Sequence, residues 1–175
     1  MSTTTEWPPA STEARLDTDY GVVVLTYNTL PVQEIVSSVG DDRAGATAVF
    51  IGTTRNSFKG KAVTRLDYQA YSKLAIKTMA NILHDAHRQF TRSAHTPEGA
   101  VVPTLIKCAV HHRLGTVPVG EPSVVIAVSS PHRKESFLAC EYILEEVKLK
   151  AQIWKREFYE GEKEDEAEWK TNHAV

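Results

Sequence analysis

The period of the apolar positions changes along the chain, and each change marks an element. Residues 20–27 (YGVVVLTY) are a near-continuous β-branched run, which predicts a strand. Residues 31–39 predict a short helix that Gly40-Asp41-Asp42 closes. Residues 45–53 (GATAVFIGT) alternate small and large apolar side chains as a second strand, and the polar stretch 54–61 reads as a loop. In residues 62–71, Leu66, Tyr68 and Ala70 alternate with Arg65, Asp67 and Gln69, predicting a strand paired with its predecessor. Residues 72–90 carry the clearest helical period. Ile76, Met79, Ile82, Leu83, Ala86 and Phe90 share one face, with Asp85 and Arg88 opposite.

Residues 91–103 read as a long polar loop. Residues 104–113 and 123–129 read as strands, joined by the Gly- and Pro-bearing turn region LGTVPVGEP. A third helix then starts near Pro131, with Ser130 as a candidate cap. Phe137, Cys140, Leu144, Val147 and Ala151 form its apolar stripe, with Lys148 at the margin beside Phe137 and Leu144. After Ala151 the period falls to two. Trp154, Arg156 and Phe158 point one way; Ile153, Lys155, Glu157 and Tyr159 point the other. Residues 162–168 predict an acidic turn, and Trp169 anchors a last short strand. Paired strands with two longer helices predict an α+β fold rather than a parallel α/β sheet.

Composition narrows the partners. A net charge of −2 over 175 residues supplies no global field toward nucleic acid or an anionic membrane, so an anion site must be local. Residues 1–18, rich in Ser, Thr, Pro and charge, read as a disordered tail, and residues 19–175 as one domain. Cys108 and Cys140 lack metal-type spacing and fall in apolar patterns, which predicts buried free thiols in a reducing, cytosolic compartment.

The candidate chemistry is cationic. Lys148, at the edge of a stripe, is either a snorkelling surface lysine or an amine partly withdrawn from water and able to act as nucleophile or proton carrier. Lys155 is either its cationic neighbour or a solvated strand residue paired with Glu157. His132 and Arg133 at a helix start suit a phosphate or carboxylate, or else an exposed first turn. Arg55, in the loop after a strand, offers a further anion contact. His111 and His112 are adjacent on a strand and so face opposite ways, which argues against a shared metal. Neither a metal nor a resident cofactor is expected.

TRN at 54–56, HRLG at 112–115, VGE at 119–121, PHR at 131–133 and KLKAQIWKRE at 148–157 occur in one order. With them, the chain resembles the catalytic (large) subunit of molybdopterin synthase over about residues 20 to 172. The resemblance implies an α/β hammerhead-like fold with an additional antiparallel β subdomain. It implies sulfurtransferase activity in molybdenum cofactor biosynthesis. Sulfur passes from the C-terminal Gly-Gly thiocarboxylate of a small ubiquitin-like subunit to cyclic pyranopterin monophosphate, forming the molybdopterin dithiolene. The implied assembly is a heterotetramer built on a homodimer of the large subunit. By position, Lys148 is the implied catalytic residue and Lys155 its assistant. Arg55, His132 and Arg133 would hold the pterin phosphate, with Arg156 and Glu157 completing the pocket. A non-catalytic binder of a ubiquitin-like tail is the alternative, and would be indifferent to the pterin.

Overall fold

Strand pairing divides the chain between two sheets in the computed structural model, which describes residues 6–90, 97–99 and 104–173. The first sheet holds β1 (Ala14–Thr18), β2 (Gly21–Thr26), β3 (Ala46–Thr53), β6 (Lys107–Arg113) and β8 (Pro122–Ser130). Its order is β1-β2-β6-β8-β3, with β2 and β6 parallel and the other pairs antiparallel. The second sheet is antiparallel throughout. It runs β10 (Lys170–Thr171), β9 (Ile153–Tyr159), β5 (Lys61–Ala70) and β4 (Ser57–Phe58), with β7 (Gly115–Pro118) also paired to β5. The fold is α+β, as the sequence predicts, and the second sheet is the antiparallel addition.

Helix α1 (Val32–Ser38) seals a small cluster in which Ile35 and Val39 meet Ala109, Val125 and Ala127. The main core lies under α2 (Ser72–Gln89) and α3 (Arg133–Lys150), which pack on each other, on β1 and β2, and on β3 and β8 respectively. Along β6 the alternation is strict in its consequence: Cys108, Val110 and His112 are buried on one face, and Ala109 joins the α1 cluster on the other.

Four expectations change. Residues 14–18 are not tail but strand, registered from Ala14 opposite Leu25 to Thr18 opposite Gly21. Their polar composition hides a period-two pattern with Leu16 packed on the core. Residues 10–12 are also tied down, since the Ser11 hydroxyl accepts the Ala70 N–H and the Ser72 hydroxyl accepts the Thr12 N–H. Second, β5 does not pair with β3; it leaves for the other sheet, where the turn region 114–122 supplies β7 as its partner. Third, Pro131 lies before α3, whose N-cap is His132, and the Ser130 hydroxyl donates to the His132 carbonyl instead of capping the helix. Fourth, Phe137 is 66% exposed. The buried face of α3 is Ser136, Ala139, Cys140, Ile143 and Val147, the side of the helix that packs on β3 and β8, and Phe137 lies off that side. The expected loop at 91–103 lies mostly outside the described residues, as do residues 1–5 of the expected tail.

Candidate active site

Where the end of α3 passes into β9, the two sheets leave a cavity of about 450 Å³. Its walls include Phe50, Ile51, Tyr68 and Val124, and its polar lining includes Arg55, His112, Lys148, Lys155, Glu157 and Asn172. Each of these side chains is delivered by local structure. Lys148 is in the last turn of α3, on the flank shared with Leu144 and Val147, which also line the cavity. Its neighbour is Leu144, not the exposed Phe137. The chain turns at Ala151 and enters β9, where the two-residue period presents Lys155 and Glu157 to the cavity.

Lys155 and Glu157 are an ion pair at 3.4 Å, with side chains 18% and 10% exposed. The Tyr159 hydroxyl donates to the far carboxylate oxygen of Glu157, and burial followed by that carboxylate pushes the phenol up to about 12. Glu157 is therefore held from two sides, and it in turn holds the Lys155 ammonium in place.

Arg55 follows the buried Thr54, which is fixed by two bonds to the turn after β7 and one to β7 itself. The Thr54 N–H donates to the Glu121 carbonyl at 3.2 Å, its carbonyl accepts the Gly120 N–H at 2.9 Å, and its hydroxyl donates to the Val117 carbonyl at 3.3 Å. That turn is itself braced by the Arg113–Glu121 ion pair. The TRN, HRLG and VGE segments are thus one structural unit, and its product is the position of Arg55, whose guanidinium lies 5.4 Å from the Phe58 ring centre.

Three predicted residues fall outside this lining. Arg156 points from the other face of β9, where Nη2 is 3.1 Å from the buried Asp67 and the guanidinium lies 4.7 Å from the Trp169 ring. The contact with Asp67 ties β9 to β5. His132 and Arg133 are exposed at the start of α3, beside the Ala46 end of β3, whereas Arg55 follows the Thr53 end. The eight-residue strand puts about 23 Å between those ends. A single copy of the chain does not bring them together.

His112 and Asn172 line the cavity and were not among the predicted site residues. His112 is 2% exposed, and burial, with the Lys148 charge adding to it, lowers its pKa to about 4. The signal for His112 was its place on the core face of β6 with Cys108 and Val110. For Asn172 there was none, since a two-residue strand has no readable period. Among the described residues no cluster of metal-ligating side chains occurs. Cys108 and Cys140 are buried free thiols, pushed up by burial to about 12 and about 11.

Known proteins are similar to this chain in both sequence and fold. The MoaE protein family profile matches residues 25–150. The chain is 43% identical over 148 residues to molybdopterin synthase catalytic subunit 2 of Aedes aegypti, covering 85% of this chain and 87% of that protein. It is 41% identical over 160 residues to the molybdopterin synthase catalytic subunit of Taeniopygia guttata, covering 91% and 93%. Among solved structures, the molybdopterin synthase of Staphylococcus aureus superposes with a TM-score of 0.70 at 29% identity, covering 83% of this chain and 94% of that one. A chain of the Helicobacter pylori complex of subunits 1 and 2 of molybdopterin-converting factor shares the fold, with a TM-score of 0.61 at 19% identity over 80% of this chain and 86% of that one.

Proposed function

The chain belongs to the MoaE protein family, and we propose that the cavity bounded by Arg55, Lys148, Lys155 and Glu157 is where it carries out that family's sulfur transfer. It is a catalytic subunit of molybdopterin synthase, a sulfurtransferase of molybdenum cofactor biosynthesis. The sulfur donor is the C-terminal thiocarboxylate of a small ubiquitin-like subunit, and the acceptor is cyclic pyranopterin monophosphate, which becomes the dithiolene. A reducing, cytosolic setting fits the two buried free thiols.

The observation that carries the reading is the convergence of Lys148, Lys155 and Arg55 on one cavity, with a single carboxylate, that of Glu157, among its lining. The thiocarboxylate, the carboxylate left after transfer and the pterin phosphate are all anions. Fixed cations at a partly dry wall stabilise such charge as it develops. Lys148, beside the apolar Leu144 and Val147, is the group assigned to the tail terminus and to proton movement there. Lys155, held by Glu157, assists through its charge. The high thiol pKa values of Cys108 and Cys140 leave little thiolate, which fits delivery of sulfur by another protein.

His132 and Arg133 enter this reading through a second copy. Strand β3 is an edge strand, with Val49 and Ile51 exposed. Antiparallel pairing of β3 with its own copy, centred between Val49 and Phe50, sets Ala46 of one chain opposite Thr53 of the other. That brings His132 and Arg133 of the partner subunit toward Arg55, where they would hold the phosphate.

The test is reconstitution. The purified chain, the thiocarboxylated small subunit and the pterin precursor are mixed, and the product is read by mass. Two sulfurs gained by the pterin support the reading. Tight small-subunit binding with no change in the pterin would instead make the chain a binder of a ubiquitin-like tail.

A further inference from the structure

We propose that His112 and Asn172 form a latch that fixes the C-terminal segment as a wall of the transfer cavity. In this latch His112 is a positioning residue that acts through Asn172 on Lys155. The inference rests on the reading that this cavity is the site of transfer.

The geometry begins with the ring of His112. Its Nδ1 lies 2.8 Å from the Arg113 carbonyl oxygen, which can only accept. Nδ1 therefore carries the proton, and Nε2 is left as an acceptor. Asn172 Nδ2 lies 3.3 Å from that nitrogen and donates to it. The ring is further fixed edge-on to Tyr68, with centres 4.9 Å apart. His112 is neutral above about pH 4, so the acceptor persists across the working range.

The segment held by this bond is otherwise weakly attached. Strand β10 has two residues and pairs with one neighbour, Lys170 opposite Lys155 and Thr171 opposite Trp154. Two side-chain anchors flank it: Trp169 lies 4.7 Å from the Arg156 guanidinium on one side, and Asn172, 9% exposed, meets His112 on the other. An edge strand this short does not hold its place by ladder bonds alone. What the anchors position is chemically relevant. Arg55, Lys148, Lys155 and Asn172 all line both the cavity and a second concavity of about 550 Å³ that opens beside it toward Glu145, Leu149 and His173. Asn172 is thus part of the partition between the two, and the backbone to which it is joined runs alongside Lys155.

Asn172→Ala tests this with little risk to folding, because the strand it follows has two residues and pairs with one neighbour. The latch predicts that kcat/KM for the pterin falls about tenfold, carried by KM, since one buried acceptor loses its donor. It predicts faster amide exchange across residues 154–156 and 170–172. In imidazole nitrogen NMR, Nε2 of His112 shifts while Nδ1 stays protonated. His112→Gln, which offers an acceptor where Nε2 stood, retains more activity than His112→Leu. A KM within about twofold of native in Asn172→Ala, with unchanged exchange and an unmoved Nε2 signal, would overturn the latch. If the native chain forms no dithiolene, the reading of the site fails instead, and the exchange and nitrogen measurements still decide the latch.

Discussion

Burial of two histidines gives the stability of this protein a dependence on acid. His111 and His112 both have pKa values lowered to about 4, mainly by burial, with Arg15 and Lys148 respectively adding to the effect. In the unfolded chain a histidine takes up its proton near pH 6.5. Between about pH 6.5 and 4 the unfolded state therefore binds more protons, so stability is full above that window and falls as pH drops through it. For the fully buried His112 the loss is on the order of 1 kcal/mol per pH unit. A thermal melt followed against pH should show this decline, and His111→Gln should make it shallower. The lowered carboxyls of Glu13 and Asp17 act in a lower window, losing their contribution only as pH falls further. The thiols give a second residue-scale prediction. Native Cys108 and Cys140 should resist alkylation at pH 8 and react once urea unfolds the chain, and Cys140→Ser should keep sulfur transfer. Side chains fixed by nearby sequence were legible at this scale. Lys148 followed from its helix, and Lys155 and Glu157 from a two-residue period. The pairing of His112 with Asn172 spans 60 residues and leaves no local trace.

At the scale of elements, the long ones announced themselves, as did the short α1 and the last strand beside Trp169, whereas β4 and β7 did not. Helix α2 needed only its own period, and β8 only its apolar run. β4, β7 and β10 are two to four residues long and exist because β5 and β9 offer them unpaired edges. Helix α3 shows a subtler failure. Its stripe follows the largest apolar residues, yet the face that packs on the sheet is centred on Ser136, Ala139, Ile143 and Val147, leaving Phe137 in solvent. Phe137→Ser should accordingly change unfolding free energy by less than about 0.5 kcal/mol, against the several expected of a core aromatic. Asp67 is the opposite case. It is 2% exposed on β5, accepts the Thr116 hydroxyl of β7 at 2.9 Å and pairs with Arg156 of β9 at 3.1 Å. Asp67→Ala should cost about 3 kcal/mol in urea unfolding, because it strands a half-buried guanidinium and unties three strands at once.

On the scale of the whole molecule, the second sheet serves to hold Lys155 and Glu157 opposite the lysine that α3 delivers, while the first sheet ends in an open edge at β3. The proposed pairing of that edge would carry the basic start of α3, distant from the cavity of its own chain, to the cavity of a second copy. Val49→Lys places a charge on the edge without touching the cavity lining, and sedimentation should show the assembly shifted to monomer. The most direct measurement concerns Lys148. In a single-turnover reaction with thiocarboxylated small subunit and pterin precursor, Lys148→Ala should bind the small subunit as the native chain does, yet pass no sulfur to the pterin. Dithiolene formed by that variant at a rate within about twofold of native would contradict the account.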